Sequence, residues 1–432
     1  MKIHKTIGLG LAGLMMAIAV PAQNYNEYFE DRTLRVDYTL SGDAHSQTVS
    51  LDELYTLPSW AGRKHRLSEL PLLGNGQVVV RDKQSHQVLY TTSFSTLYQE
   101  WLGTDEAAQV RRSFEHTVLL PFPKQAVDVE LTLLHSDQTV MARYQHVVDP
   151  QDILIHALDQ HPVTPHIYIQ KAGHPADCID VAILAEGYTE VEMEQFYADA
   201  AAAAASLFSH EPFKQYRQRF NIVAVASPSK DSGVSIPRLG EWKETAFSSH
   251  FSTFYSDRYL TTRRVKALHN ALAGIPYEHL IVLANTAEYG GGGIYNSYTL
   301  TAAHHPQFRP VVVHEFGHSF AGLADEYYYE DQIMTNLYPL QVEPWEQNIT
   351  TRVNFASKWE DLLPTHLPVP TPVAESATYP VGLYEGAGSS AKGIYRSAHD
   401  CRMKTNRYPT FCQVCQRAIS RLIQFYTEPA KP

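Results

Sequence analysis

The sequence predicts two domains, an antiparallel β-rich, sandwich-like domain followed by an α/β (α+β) domain. Runs that alternate apolar and polar residues, such as 34–38 and 127–133, are separated by Gly, Asp and Ser turns up to about residue 148, which is typical of antiparallel strands. Beyond residue 180, continuous apolar runs alternate with helical stretches, which is typical of an α/β domain. The length of 432 residues also favours two domains.

We place the domain boundary at residue 160, because residues 150–165 are rich in turn and breaker residues. This gives an amino-terminal domain over 23–160 and a second domain over 161–432. The second domain opens with the apolar run 180–185, which predicts a strand covered on both faces. The next predicted elements are a helix over 190–214 capped by Thr189, a strand over 220–226, a helix around 257–273 and a strand over 280–284.

Residues 1–22 have the three-part pattern of a signal peptide. Two early lysines supply the positive start, residues 7–20 form an apolar run, and Ala22 is a small residue before the cleavage point. A membrane anchor is the alternative, but the run is short for a hydrocarbon core of about 30 Å, and no later segment reaches a spanning length. We therefore predict a secreted or periplasmic protein that is soluble after cleavage and begins at Gln23.

The composition is that of a globular chain, with 44% hydrophobic and 19% charged residues. The net charge of -11 is spread along the chain, without a basic run that could neutralise a phosphate backbone. These observations argue against nucleic acid as a partner.

The four glycines 290–293 form a loop-like segment. They lack the Gly-Lys-Ser/Thr ending of a phosphate-binding loop, and no helix pattern begins directly after them, so we do not expect a nucleotide there. Residues 295–300, which follow, predict an exposed strand. In a peptidase, the edge of such a strand could receive an extended substrate through backbone hydrogen bonds.

The chain has four cysteines, Cys178, Cys401, Cys412 and Cys415. In an oxidising compartment they could form two disulfides, with three possible connectivities. The spacing of Cys412 and Cys415 also occurs in redox sites and zinc knuckles. However, no second pair lies at knuckle spacing, and the redox motif normally follows a strand in a small βαβ domain. We therefore expect a structural role for the cysteines.

Residues 311–320, VVVHEFGHSF, carry the clearest chemical signal. Pro310 suits a first helical turn, and the apolar residues around the motif predict a buried helix. On a helix, His314 and His318 lie one turn apart on one face, where both imidazoles can bind a single zinc ion. Glu315 lies beside them without occupying the same ligand position, so we predict that it is the base. Burial of these side chains without a partner would be costly, which disfavours a purely structural role.

A catalytic zinc site needs a third protein ligand and an open position for water. Gly322 predicts a left-handed end to the helix, which turns the chain back toward the metal, so Asp325 is the nearest candidate. The sequence leaves other candidate ligands open: Glu326, Glu346, Glu360, Glu385 and His399. Four tyrosines are candidates for stabilising the oxyanion, a role that stays unassigned: Tyr327, Tyr384, Tyr395 and Tyr408.

The stretch 314–327, HEFGHSFAGLADEY, resembles the signature of the bacterial IgA-specific metalloendopeptidase family. Segments 384–388, 401–404 and 411–415 resemble later blocks of that family, in the same order. The resemblance covers about residues 180–426. The β-rich first domain is similar to the amino-terminal domain that some members carry.

The resemblance implies a metzincin-like zincin fold, with Zn²⁺ on His314, His318 and Asp325 and with Glu315 as the general base. It also implies that Met403 is the methionine of the turn beneath the metal. The third ligand and the glycine before it each lie one residue later than in the metzincin pattern H-E-x-x-H-x-x-G-x-x-H/D. Asp325 therefore departs from that pattern.

These observations predict a secreted zinc endopeptidase that acts on a protein or peptide substrate. The family name points to immunoglobulin or another host glycoprotein, although no motif identifies such specificity. The main alternative is a glycan- or protein-binding module with a residual metal site, against which the intact Glu315 argues. A zinc amidase or deacetylase would use a different ligand spacing.

Overall fold

The computed structural model describes residues 24–158, 162–328 and 337–429 of the chain. The predicted signal peptide and its cleavage point lie outside the described residues, as does residue 160, so the domain boundary stays a prediction. Among the described residues, no helix is long and apolar enough to span a bilayer.

Two four-stranded sheets form the amino-terminal part, as the alternating sequence pattern predicts. Its elements are helices α1 Tyr25–Tyr28 and α2 Leu97–Leu102 and strands β1 Phe29–Gly42, β2 Gln47–Leu57, β3 Gly76–Asp82, β4 Val88–Phe94, β5 Arg112–Pro123, β6 Val127–Leu134, β7 Val140–Val148 and β8 His156–Ala157. The strand orders are β5-β1-β2-β8 and β4-β3-β6-β7, and all pairs except β2 with β8 are antiparallel. Residues of both sheets, such as Val36 and Val78, share one hydrophobic core, which confirms the predicted β-rich part.

A six-stranded sheet organises the second part of the chain. Its strands and the neighbouring helices are β9 His166–Gln170, β10 Ile179–Glu186, α3 Met193–Leu207, β11 Phe220–Val225, α4 Val265–Ala271, β12 His279–Ala284, β13 Gly291–Ile294, β14 Tyr298–Ala302 and α5 Phe308–Ala321. The order is β13-β14-β12-β10-β11-β9, with four parallel central strands and an antiparallel strand at each edge. A small sheet and a last helix follow: β15 Ile349–Thr350, β16 Tyr384–Ala387, β17 Ser390–Arg396 and α6 Gln413–Thr427. The predicted α/β class is confirmed.

The central strand β10 is buried over its whole length because both faces of the sheet are covered. Val181 and Ile183 pack into the core that includes residues of α3, α5 and α6. Ala182 and Leu184 point to the opposite face, where they join the core of the amino-terminal sandwich. Leu268 of α4 belongs to the same core, which thus continues from the second face of the sheet into the amino-terminal part.

Both predicted helices of this part are shorter than predicted. Helix α3 follows a capping box, in which Glu192 Oε2 accepts a hydrogen bond from Thr189 N at 2.8 Å, and it ends at Leu207. Only α4 forms within 257–273, because Tyr259 bridges Gly291 and Thr261 bridges His250 instead of continuing a helix.

The strand predicted at 295–300 is not an exposed edge. Asn296, with φ of 50°, reverses the chain between β13 and β14. Strand β14 is buried between β12 and β13, and the edge strand is the glycine-rich β13. Tyr259 bridges β13 at Gly291. The prediction of a substrate-receiving edge at 295–300 is therefore wrong.

Candidate metal centre

Helix α5 places His314 and His318 on one face, as their spacing predicts. Their Nε2 atoms lie 3.1 Å apart. The Nδ1 atom of His314 lies 2.9 Å from the backbone oxygen of Arg402, and that of His318 lies 2.5 Å from the backbone oxygen of Leu323. Because a carbonyl oxygen only accepts, each Nδ1 carries the proton and each Nε2 keeps a free lone pair. Two lone pairs this close favour a cation between them, as in metal-binding histidine pairs.

Asp325 brings a third donor atom to the two imidazoles. Gly322 ends α5 with φ of 56°, the left-handed conformation predicted for it, and the chain turns back. Asp325 Oδ1 lies 3.1 Å from His314 Nε2 and 3.2 Å from His318 Nε2. The two imidazole nitrogens are the nearest partners of this enclosed oxygen, so the three donor atoms face a common point. The donor set of two imidazoles and one carboxylate fits a zinc ion with bonds of about 2.0–2.2 Å.

The other candidate ligands lie against different partners. Glu326 faces the Cys415 thiol, Glu346 bonds with Tyr338, Glu385 pairs with Lys392, the His399 ring lies near Tyr384, and Glu360 is exposed. Among the candidates considered, Asp325 is the one whose carboxylate lies within 3.2 Å of both imidazoles.

Glu315 lies on the same helix, with its carboxylate against the glycines of β13. A Cβ atom at Gly291 would lie 2.9 Å from Glu315 Oε1, and a Cβ atom at Gly293 would lie 2.2 Å from the backbone oxygen of Glu315. The glycine run therefore allows close packing of β13 on α5. Burial raises the pKa of Glu315 above its ordinary value.

Met403 is fully buried beneath α5. A Cβ atom at Gly317 would lie 2.7 Å from the Met403 sulfur, so glycine makes room for it between the two histidines. The backbone oxygen of Met403 also accepts a hydrogen bond from Glu326 N at 2.9 Å. The turn at 401–404 thus supports both the histidine helix and the loop that carries Asp325.

A cleft of about 1340 Å³ opens onto the histidines. Both parts of the chain line it, and Glu100 of α2 accepts a hydrogen bond there from the hydroxyl of Tyr259. Burial raises the pKa of Glu100 to about 7. Of the four tyrosines considered above, Tyr327 lines the cleft, and its ring stacks on His314 at a centroid distance of 6.4 Å. The cleft exceeds the ~300–1,000 Å³ of small-molecule pockets and suits a polypeptide.

Sequence reasoning missed the contribution of the amino-terminal part to this cleft. Glu100 and Tyr259 belong to no motif, and they meet only through the packing of α2 on the second part. The glycine run 290–293 was the one sequence feature that indicated close packing at the cleft, because consecutive glycines permit a close backbone approach.

All four cysteines are free thiols, so neither of the two disulfides that the sequence allows is present among the described residues. Cys401, Cys412 and Cys415 converge with Glu326, and the donor atoms of these four residues lie within 4.8 Å of one another. Cys178 lies apart from them, immediately before β10.

A family model described as IgA peptidase M64 matches residues 167–380 and 373–423, and a model of the peptidase M64 N-terminus matches residues 24–145. No curated protein matches the chain. The matched residues include the amino-terminal sandwich, the six-stranded sheet, helix α5 and the three later segments that carry the resemblance. The chain therefore belongs to the IgA peptidase M64 family, and it is a peptidase.

Proposed function

We propose that this peptidase is an exported zinc endopeptidase, in which His314, His318 and Asp325 hold the zinc ion and Glu315 is the general base. The observation that carries the proposal is the convergence of two imidazole Nε2 atoms with Oδ1 of Asp325, all within 3.2 Å of one another. Three protein ligands beside an open cleft leave room for water and substrate, as catalytic zinc sites require.

Zinc, when bound, activates a water molecule and polarises the scissile carbonyl group. Glu315 takes the proton of that water and returns it to the leaving amine, a role that its position beside both histidines supports. The backbone oxygens of Arg402 and Leu323 hold the two imidazoles in the tautomer that leaves Nε2 free. Gly291 leaves space for the Glu315 carboxylate.

The substrates that we propose are polypeptides, since the cleft is long enough to be lined by both parts of the chain. The family is described by its action on immunoglobulin A, which makes that protein the first substrate to assay. No residue of the cleft by itself identifies a preferred sequence.

The decisive experiment replaces Glu315 by glutamine, which keeps the shape of the side chain but removes the base. Purified wild type and Glu315→Gln are compared at equal zinc content on a mixed peptide library and on immunoglobulin A. Hydrolysis should fall by at least ~10²–10⁴-fold, while zinc content and thermal melting stay unchanged. His314→Ala is the matched control, because it should lose zinc as well as activity.

Near-wild-type hydrolysis by Glu315→Gln would contradict the role of Glu315 as the base. Absence of hydrolysis by both proteins would instead favour the binding-module alternative.

Export rests on the signal-peptide pattern of residues 1–22. Mass spectrometry of the protein recovered outside the cytoplasm should give an amino terminus at Gln23. An uncleaved chain retained in the membrane fraction would contradict export as a soluble protein.

A further inference from the structure

A second cluster of donor side chains lies outside the cleft. It consists of Glu326, Cys401, Cys412 and Cys415, all of which are buried. Their four donor atoms lie within 4.8 Å of one another. The cluster joins three segments that are distant in sequence: the loop after α5, the turn that contains Met403, and the beginning of α6.

The spacing of the donor atoms is that of a tetrahedral metal site. For zinc–sulfur bonds of ~2.3 Å, tetrahedral geometry requires sulfur atoms about 3.8 Å apart and sulfur–oxygen distances of about 3.6 Å. The sulfur atoms of Cys401 and Cys415 lie 3.8 Å apart. Glu326 Oε1 lies 3.1 Å from the Cys415 sulfur and 3.9 Å from the Cys412 sulfur. One ion can therefore contact all four donors with small adjustments.

Glu326 is buried beside the three thiols, and only one of its two carboxylate oxygens has hydrogen-bond partners. Its side chain is 0% exposed, and its Oε2 atom is buried without a hydrogen-bond partner. Its Oε1 atom accepts hydrogen bonds from Asn348 Nδ2 at 3.0 Å and from the Cys415 thiol at 3.1 Å. A carboxylate removed from water requires compensation by charge or hydrogen bonds. A divalent cation among the thiols would provide it.

Backbone N–H groups point at the sulfur atoms as they do around metal-bound thiolates. Cys412 N and Met403 N donate to the Cys401 sulfur at 3.2 and 3.5 Å. Cys415 N donates to the Cys412 sulfur at 3.5 Å, at the amino-terminal end of α6. Such contacts stabilise negative sulfur and orient it toward a metal. They are the surroundings of a thiolate site that excludes solvent.

A disulfide explains the cluster less well than a metal does. Three cysteines cannot all pair with one another, and Cys178 lies elsewhere. Any disulfide within the cluster would leave one thiol and the Glu326 carboxylate buried together without compensation. A tetrahedral ion instead uses all four donors at once.

We propose that Glu326, Cys401, Cys412 and Cys415 form a second, structural metal site that binds one zinc ion. A thiolate-rich, four-coordinate and buried donor set selects zinc over magnesium or calcium, which prefer oxygen ligands. The site ties the loop of Asp325 to the turn of Met403. It therefore stabilises two of the segments that build the cleft without contacting the substrate.

The test counts metal ions in the purified full chain and in variants of each cluster. Wild type should hold two zinc ions per chain. The double variant His314→Ala/His318→Ala should keep one, as should Cys412→Ser/Cys415→Ser. Cys178→Ser, which removes a buried cysteine outside the cluster, should keep both. This design separates the two sites, because loss of the cleft ion leaves the count at the cysteines unchanged.

A second measurement does not depend on whether the cysteine variant folds. Cobalt added to metal-free His314→Ala/His318→Ala should give the intense near-ultraviolet absorption of thiolate-to-cobalt charge transfer, and an organomercurial thiol reagent should release the ion. Absence of that absorption would overturn the proposal. A disulfide between any two of Cys401, Cys412 and Cys415 in the denatured, unreduced wild type, found by alkylation and mass spectrometry, would overturn it as well.

Discussion

Asp325 and Glu326 are neighbours in the chain, yet their carboxylates enter two donor clusters of different character. Asp325 Oδ1 joins two imidazole nitrogens beside an open cleft. Glu326 joins three buried thiols. A site with three ligands and an open side suits catalysis, whereas a closed four-ligand site suits structural support.

One short loop therefore supplies a carboxylate to the cleft cluster and another to the buried cluster. The backbone reversal at Gly322 brings both carboxylates under α5, and their side chains then diverge to opposite partners. Because Glu326 N also bonds to the backbone oxygen of Met403, the buried cluster fixes the position from which Asp325 reaches the histidines. The predictions below separate the two clusters, beginning with the largest expected effect.

Asp325→Ala should abolish the cleft site while leaving the buried one intact. Loss of a direct ligand should weaken cleft zinc by more than the ~10–100-fold typical of losing an outer-shell partner, and hydrolysis should fall at least as much. Zinc content should drop by one ion per chain, as measured by elemental analysis beside kcat/KM. Full zinc and activity in Asp325→Ala, together with their loss in a variant of His399 or Glu385, would assign the third ligand elsewhere.

Removal of the two ions should have different consequences. A mild chelator should extract the cleft ion first, so that hydrolysis disappears while the melting temperature falls little, and added zinc should restore activity. A thiol reagent that releases the buried ion should lower the melting temperature by roughly 5–10 °C, since a ligand bound only to the folded state stabilises it. Calorimetry and activity assays after each treatment check this. Identical melting curves after both treatments would contradict a distinct structural ion.

Gly291→Ala should disturb the base without disturbing either ion. The new Cβ atom would lie 2.9 Å from Glu315 Oε1, so the carboxylate must shift, and kcat should fall by about 10–100-fold because misplacement of a reacting group by ~1 Å has effects of that order. Zinc content should not change. The melting temperature is the control for structural damage, since φ of Gly291 lies outside the left-handed region and alanine adds no backbone strain there. Unchanged kcat in Gly291→Ala would show that Glu315 tolerates displacement.

The parts of the fold that sequence predicted correctly are those with local causes. The run 180–185 is apolar at every position because both faces of β10 are covered. What the sequence did not reveal is that the core on one of those faces continues into the amino-terminal sandwich, since that packing joins distant segments. Helix α4 is shorter than its propensity suggests because the segment before it pairs with β13. Tertiary contacts overrode local preference there.

In the candidate site, too, the sequence predicted the features that have local causes and missed those that depend on tertiary packing. His314, Glu315 and His318 follow from helical spacing, and the approach of Asp325 follows from the left-handed Gly322. The spacing of the cysteines could not reveal which of them converge. Glu100 was missed because its position in the cleft depends entirely on how the two parts of the chain pack.

A third buried carboxylate, that of Asp180, offers a comparison with the carboxylates of Asp325 and Glu326. Its Oδ2 atom also has no hydrogen-bond partner, while Oδ1 accepts a hydrogen bond from Asn221 Nδ2 at 3.0 Å. No thiol or imidazole joins it in a donor cluster among the described residues. Protonation, rather than a metal, is therefore the available compensation. Burial accordingly raises the pKa of Asp180 from 3.8 to about 7.

Asp180→Asn should stabilise the protein at alkaline pH and leave both ions in place. Because the folded-state pKa lies above the ordinary value, protonation favours the folded state: this contribution is complete below about pH 4 and is lost as the pH rises through about 7. At pH 8 the neutral amide should therefore increase the free energy of unfolding by about 1–3 kcal/mol, the usual cost of an unsatisfied buried group. Denaturant unfolding at pH 5 and pH 8 measures the change, with the exposed Asp177→Asn as the matched control.

Glu278, whose pKa is also raised by burial and then by Asp180, should retain part of the pH dependence. Equal stability of Asp180→Asn and wild type at both pH values would mean that Asp180 is compensated in its ionised form, and the contrast with Glu326 would then lose its basis.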